Sequence, residues 1–226
     1  MKKVIVLDTE GLSGKRPYNI GYLIGDLHGN IYVKRSFACM PCVWENLEGA
    51  IRFAQDNVKE MTHKNIQEIF ENPDNKYTWA NIEEIREIFI SDIISHGITE
   101  IWAYNCNFDK NGLKHLFGYD FFDKYKVNWL DIWSAIVMTK CLSKKFVKFC
   151  KANNLVTENG NCKTSAEAVT AFLENDPNFA EEHTALSDCL LEYKLLIIAK
   201  KTKKKINGKL CQPWRLVKNF CEVNGL

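Results

Sequence analysis

No stretch of this 226-residue chain is long and apolar enough to cross a bilayer. The longest unbroken apolar run near its C-terminus, residues 195–199, falls far short of the ~20 residues that a spanning helix needs. Its start, Met1-Lys2-Lys3 followed by four aliphatic residues and then Asp8, is no secretory signal. Charge bias is missing too: 30 Lys and Arg against 28 Asp and Glu leave a net +2, so a nucleic-acid partner would have to be argued from a local patch. Neither an internal repeat nor a low-complexity segment occurs. A single Cys39-x-x-Cys42 pair has no second pair to complete a zinc site, and two ordinary cysteines near a strand end is the favoured reading. What is present is ordinary and globular, 46% hydrophobic and 26% charged, enough for one well-packed core. Nine irregularly spaced cysteines point to reduced thiols, and a cytoplasmic protein away from membranes is expected.

The chain is organised around Val4-Ile5-Val6-Leu7-Asp8-Thr9-Glu10. Four consecutive aliphatic residues read as a strand buried on both faces. In a strand, residues i and i+2 point the same way, so Asp8 and Glu10 stand side by side where the strand ends. Two like charges so placed repel, unless the edge is wet or a cation holds them together. The next question is which other carboxylates join them.

After a Gly- and Pro-containing loop over 11–17, strands are expected at 19–24 and 30–37, joined by a turn at 26–30. Together with the first strand they make an antiparallel meander. Trp44, Leu47, Ile51, Ala54 and Val58 then recur at helical spacing, a weaker helix covers 63–70, and 72–75 breaks it. A second stripe, Ile82, Ile85, Phe89 and Ile93, closes at Gly97. Residues 100–104 form a fourth strand that runs into Asn105-Cys106-Asn107-Phe108-Asp109 and a helix to Phe117. A helix between strands places this one parallel to the first, with sites at carboxyl ends. Asp109 then either caps its helix or approaches Asp8 and Glu10.

A fifth strand is expected over 127–130, with Asp131 capping a helix over 132–139. Another helix covers 143–153, and Thr164-Ser165-Ala166-Glu167 reads as a capping box opening a helix to 173. Farther on, His183 and Asp188 are about 140° apart on an ideal helix. Both face one site only if His183 lies in the loop before it, with Thr184 as cap. The lysine-rich run over 200–205 reads as a solvated face, and Trp214 and Phe220 suggest that the end folds back.

Asp8-x-Glu10, Asn105-x-x-Phe108-Asp109 and His183-x-Ala185-x-x-Asp188 together resemble the three motifs of the DEDDh, or DnaQ-like, 3′-to-5′ exonucleases, over roughly residues 3–200. The resemblance implies an α/β fold, an RNase H-like five-stranded sheet in the order 3-2-1-4-5 flanked by helices. Residues 1–200 would form that domain and 201–226 a basic extension packed back on it. It also implies that Asp8, Glu10, Asp109 and Asp188 hold two divalent cations, Mg²⁺ or Mn²⁺, about 4 Å apart on the scissile phosphate. His183 would be the general base, since an imidazole ordinarily titrates near ~6.5. Thr9 and Asn105 would lie on the substrate side. The expected activity is hydrolysis at the 3′ end of single-stranded DNA or RNA, releasing nucleoside 5′-monophosphates. The rival reading is a non-catalytic nucleic-acid-binding module on the same fold; a third, a zinc or redox module, uses Cys39 and Cys42. A sister family has tyrosine where Thr184 stands, which favours the histidine branch. The chain departs from the family at Gly11-Leu12, where two threonines and a glycine are usual, and at Tyr104, where histidine is common.

Overall fold

The computed structural model describes residues 1–11, 17–39, 66–69, 71, 75–202, 204, 206–209 and 212–226. The helix expected over 44–58 and Cys42 lie outside the described residues. Of the helix expected over 63–70, residues 66–69 are described and are helical.

β1 (Lys3–Gly11) lies in the interior of a mixed sheet flanked by helices, an α/β arrangement. Alternate residues of its apolar run serve opposite layers. Val4 and Val6 belong to one hydrophobic cluster, Ile5 and Leu7 to the other, and all four are fully buried. β2 (Pro17–Asp26) and β3 (Ile31–Cys39) continue the sheet on one side as an antiparallel meander. The turn between them closes with the Asp26 N–H donating to Asn30 O at 3.0 Å, and Gly29 supplies the left-handed φ of +105° that it needs.

Beyond β3, a three-residue strand, β4 (Thr78–Ala80), adds in parallel at the edge. On the other side of β1 come β5 (Glu100–Ala103), parallel to β1, and β6 (Asn128–Asp131), parallel to β5. The sheet therefore has six strands in the order β4-β3-β2-β1-β5-β6, not the expected five in the order 3-2-1-4-5. β4 escapes a sequence reading because three residues with one buried side chain carry no readable alternation. The five strands that are legible keep their relative order.

The layer over Ile5 and Leu7 is built by α1 (Ile82–His96), α2 (Asn107–Phe117) and α3 (Phe121–Lys124). α1 opens on a reciprocal capping box between Asn81 and Glu84, both bonds 2.9 Å, and stops at Gly97 with φ +62°. The layer over Val4 and Val6 holds α4 (Ile132–Ile136), which runs on as a π turn over Val137–Cys141. It also holds α5 (Lys144–Ala152), α6 (Ala166–Glu174), α7 (Ala185–Lys200) and α8 (Trp214–Val223). α6 is not opened by a Thr164 to Glu167 box. Its cap is Ser165, which accepts the Ala168 N–H at 3.2 Å, while the Thr164 hydroxyl is taken by the Trp133 indole N–H at 2.9 Å.

α7 is the element that carries the late motif, and β2 is shaped to receive it. A Cβ at Gly21 would collide with the Ala185 and Leu186 backbone, so only glycine admits the helix this close. Asn19 accepts the Ala185 N–H at 2.9 Å while its amide donates to Phe37 O at 2.8 Å. The Cys189 thiol donates to Gly21 O at 3.2 Å. The Tyr193 hydroxyl sits 2.5 Å from Asp26 O and 3.0 Å from Asn30 O.

The C-terminal segment lies against the same layer. The Asp131 N–H donates to Gly208 O at 2.8 Å, and Val217 of α8 is buried in the Val4 and Val6 cluster. Two lysines of the basic run have partners within the fold, though Lys204 remains exposed. Lys200 Nζ stands 4.4 Å from the Trp102 ring centre, and Lys204 Nζ donates to Thr139 O at 3.4 Å. Among the described residues no helix is long and apolar enough to cross a membrane. The seven described cysteines are free thiols, and Cys39 is buried within β3.

Candidate metal centre

β5 stops at Ala103, so the last residues of β1 outrun it. Asp109, in the first turn of α2, supplies what the missing strand would have. Its Oδ1 accepts the Thr9 N–H at 3.0 Å and the Thr9 hydroxyl at 2.8 Å. Thr9 is buried and its hydroxyl is spent on Asp109, so it orients that carboxylate from within. Asp109 is therefore no cap: α2 begins after Cys106 with no side-chain capping bond.

The turn that delivers Asp109 is fastened from β6. Asp131 accepts the Ser134 N–H at 3.2 Å as the cap of α4, and it also accepts backbone N–H groups of Trp133, Asn105 and Cys106. Asn105 itself takes a left-handed φ of +57° in this turn and is exposed. Small polar residues tolerate that conformation best.

At the third corner, Thr184 caps α7. Its N–H donates to Ser187 Oγ at 3.3 Å, and the two hydroxyl oxygens are 2.6 Å apart. His183 precedes the helix with φ +55°, and Asp188 sits in the first turn. Asp188 accepts the His183 N–H, which ties loop and helix together. The backbone reversal at His183 lets the two side chains converge although they are five residues apart.

The tightest group is Glu10, His183 and Asp188, each offering one ligand atom within 4.8 Å of the others. Asp8 and Asp109 stand outside that compact triple but beside it. Burial first, then the charges of Asp109, Glu192, Glu10 and Asp188, push the Asp8 carboxyl well above its ordinary range. Burial, followed by the charges of Asp188, Asp109 and Glu181, lifts Glu10 to about 8. Burial lifts Asp109 to about 7 against the opposing Thr9 bonds, and Asp188 to about 6 against the neighbouring His183.

Two further acids complete the wall. Glu192 is buried one turn after Asp188 on α7, and its Oε2 accepts the Tyr104 N–H at 3.3 Å. Burial, Asp109 and Asp188 push its carboxyl well up. Glu181 Oε2 lies 3.9 Å from His183 Nδ1, and burial with Asp188 lifts it to about 7. Residues four apart share a helix face, so the Asp188 to Glu192 spacing was a usable sign. Glu181 gives no such sign.

Among the described residues no lysine or arginine pairs with any of these acids. Asp8 Oδ2 and Glu181 Oε1 are buried and have no hydrogen-bond partner there. Orphaned carboxylate oxygens in a cluster whose carboxyls are all held above their ordinary range fit a divalent cation, which would replace both the missing partners and the missing positive charge. Hard carboxylate oxygens suit Mg²⁺ or Mn²⁺. Glu10, His183 and Asp188 are the residues close enough together to hold it, with Asp8 and Asp109 beside them. No family model matches this chain, and no curated protein matches it.

Proposed function

We propose that this protein is a metal-dependent 3′-to-5′ exonuclease that removes nucleoside 5′-monophosphates from single-stranded nucleic acid, on an RNase H-like sheet. The observation that carries the reading is the convergence of Glu10, His183 and Asp188 within one coordination distance, beside Asp8 and Asp109. Those residues come from the first strand, a mid-chain helix and a late helix, with more than 170 positions between the first and the last. Burying so many unpaired acids has a cost that folding alone does not explain. The 3′ polarity and the monophosphate product rest on the resemblance of the three motifs to the DEDDh exonucleases.

Asp8, Glu10, Asp109 and Asp188 would hold two divalent cations, which when bound would supply charge stabilisation at the phosphoryl group. The chain's own residues do the rest. Thr9 holds Asp109 in place through two bonds, and Asp131 fixes the turn behind it. His183, at the rim before α7, takes the proton of the attacking water. Glu181, at its Nδ1 side, steadies the imidazolium that results.

The test is direct. A single-stranded and a 3′-recessed oligonucleotide, each as DNA and as RNA, are incubated with Mg²⁺ or Mn²⁺ and again with a chelator. Metal-dependent shortening from the 3′ end is expected. Retention of the oligonucleotide without cleavage in either metal would overturn the enzyme and leave a binding module.

A further inference from the structure

Next to the carboxylates lies a cavity of 590 Å³ that they do not use, at the carboxyl end of β5. That volume is in the range of small-molecule sites. Two aromatic rings form its wall. Tyr104 and Trp133 are stacked, with 6.1 Å between ring centres and 21° between planes. Both polar tips are already satisfied by one residue: the Tyr104 hydroxyl donates to Thr164 O at 2.5 Å and the Trp133 indole N–H to Thr164 Oγ1 at 2.9 Å. Thr164 is buried, so it sets both rings at once.

The pinned pair offers the cavity ring surface instead of hydrogen-bonding tips. Trp214, the first residue of α8, adds a third aromatic lining, with the Arg215 guanidinium 5.5 Å from its ring centre. Around these rings stand amide side chains, Asn105, Asn159 and Asn161. Amides offer donors and acceptors together, which is what the edge of a heterocycle needs. A set ring wall and an amide rim are how single-stranded bases are held: the stack tolerates any base and the edge contacts tune preference.

The cavity is also coupled in position to the acids. Tyr104 gives its ring to the cavity and its N–H to Glu192, and Asn105 lies in the turn that delivers Asp109. We propose that the cavity bounded by Tyr104, Trp133 and Trp214 binds a nucleobase of the strand whose backbone lies over the carboxylates. The choice of a base over another planar ring rests on the nuclease reading. The stacking surface itself does not.

Adenosine 5′-monophosphate and ribose 5-phosphate are the probes, titrated against the whole protein in chelator, with tryptophan fluorescence and amide chemical shifts as readouts. The nucleotide is expected to quench fluorescence and shift residues 159–165, and ribose 5-phosphate to do neither. Trp214→Ala should weaken nucleotide binding about 5- to 150-fold, the effect of one lost base stack. Should that variant unfold, Asn161→Ala on the rim replaces it, with weaker binding and an unchanged melting temperature expected. Equal response to both probes, no response to either, or unaltered nucleotide binding in the folded variant would overturn the proposal. Metal-dependent cleavage is read separately on the wild-type chain. Base-dependent binding without cleavage sinks the nuclease and keeps the base site, and cleavage without base-dependent binding does the reverse.

Discussion

β1 and β2 share one antiparallel ladder that carries an acid toward each end. Asp26 pairs in register with Lys3 at one end, and Asp8 with Gly21 toward the other. Asp26 is satisfied four times: Oδ1 accepts the His28 and Asn30 N–H groups at 2.8 and 3.2 Å, and Oδ2 accepts the Asn30 amide at 2.9 Å and the Tyr32 hydroxyl at 2.8 Å. Those bonds, the Asn30 amide foremost, hold its carboxyl below the usual carboxylate range. Asp8 leaves one oxygen without a partner among the described residues and is pushed far the other way. The same residue type in the same pair of strands is a staple held low where donors surround it and an acid pushed high where other acids do.

Breaking the contrast at its reactive end gives the largest effects. Asp8→Ala should drop cleavage by at least about 10³-fold, since a metal clamp supplies several kcal/mol. The fold should survive, because one member of a repelling cluster is gone; unfolding in circular dichroism would show Asp8 to be structural. His183→Ala should slow cleavage by roughly 10²–10⁴-fold as the loss of a general base. An unchanged single-turnover rate would remove it from that role.

Stability against pH sharpens the comparison, because the two ends have opposite signs. The acids lifted to about 6, 7 and 8 at Asp188, Asp109 and Glu10 ionise in the unfolded chain near ~4 but later in the folded one. The metal-free protein therefore loses stability as pH climbs from about 4 to about 8. At pH 8, Mg²⁺ or Mn²⁺ at ~100 times its dissociation constant should restore about 2.7 kcal/mol, or roughly 5–10 °C in melting temperature. No metal-dependent shift in a thermal scan would contradict a cation site. Asp26, held low, stabilises the fold above the ordinary carboxylate range and loses that contribution as pH falls through its native value.

Smaller effects come from the seating of α7. Gly21→Ala would press a methyl group into the Ala185 and Leu186 backbone, destabilising by about 1–3 kcal/mol and displacing His183 and Asp188 together. A denaturation curve and a cleavage rate that both match wild type would dismiss this seat. The least effect on turnover should come from Asp26→Ala, which should lower the melting temperature and leave the cleavage rate of the folded fraction intact.

Much of this was legible in the chain. The aliphatic run of β1 and the helical stripe ending at Gly97 follow from periodicity, and the acids of the first two motifs follow apolar strands that end abruptly in polar residues. His183 and Asp188 required one extra inference, that the histidine precedes the helix, and the Thr184 cap supplied it. Glu192 was not read because it sits among Leu190, Tyr193 and Ile197, where a glutamate looks like a solvated position; only tertiary packing against Tyr104 and Asp109 buries it. The boundaries of α6 shifted by one because Thr164 had a distant claim on it from Trp133. β4 lay below the length at which alternation carries information.

The lodging of α7 against β2 has a consequence for when the acidic cluster is completed. Asn19 meets Ala185 across 166 positions and Gly21 meets Cys189 across 168. A ribosome-bound chain that has emerged only as far as β6 holds Asp8, Glu10 and Asp109 but neither His183 nor Asp188. The grouping of Glu10 with His183 and Asp188 is thus completed only late in synthesis, when α7 can dock on β2.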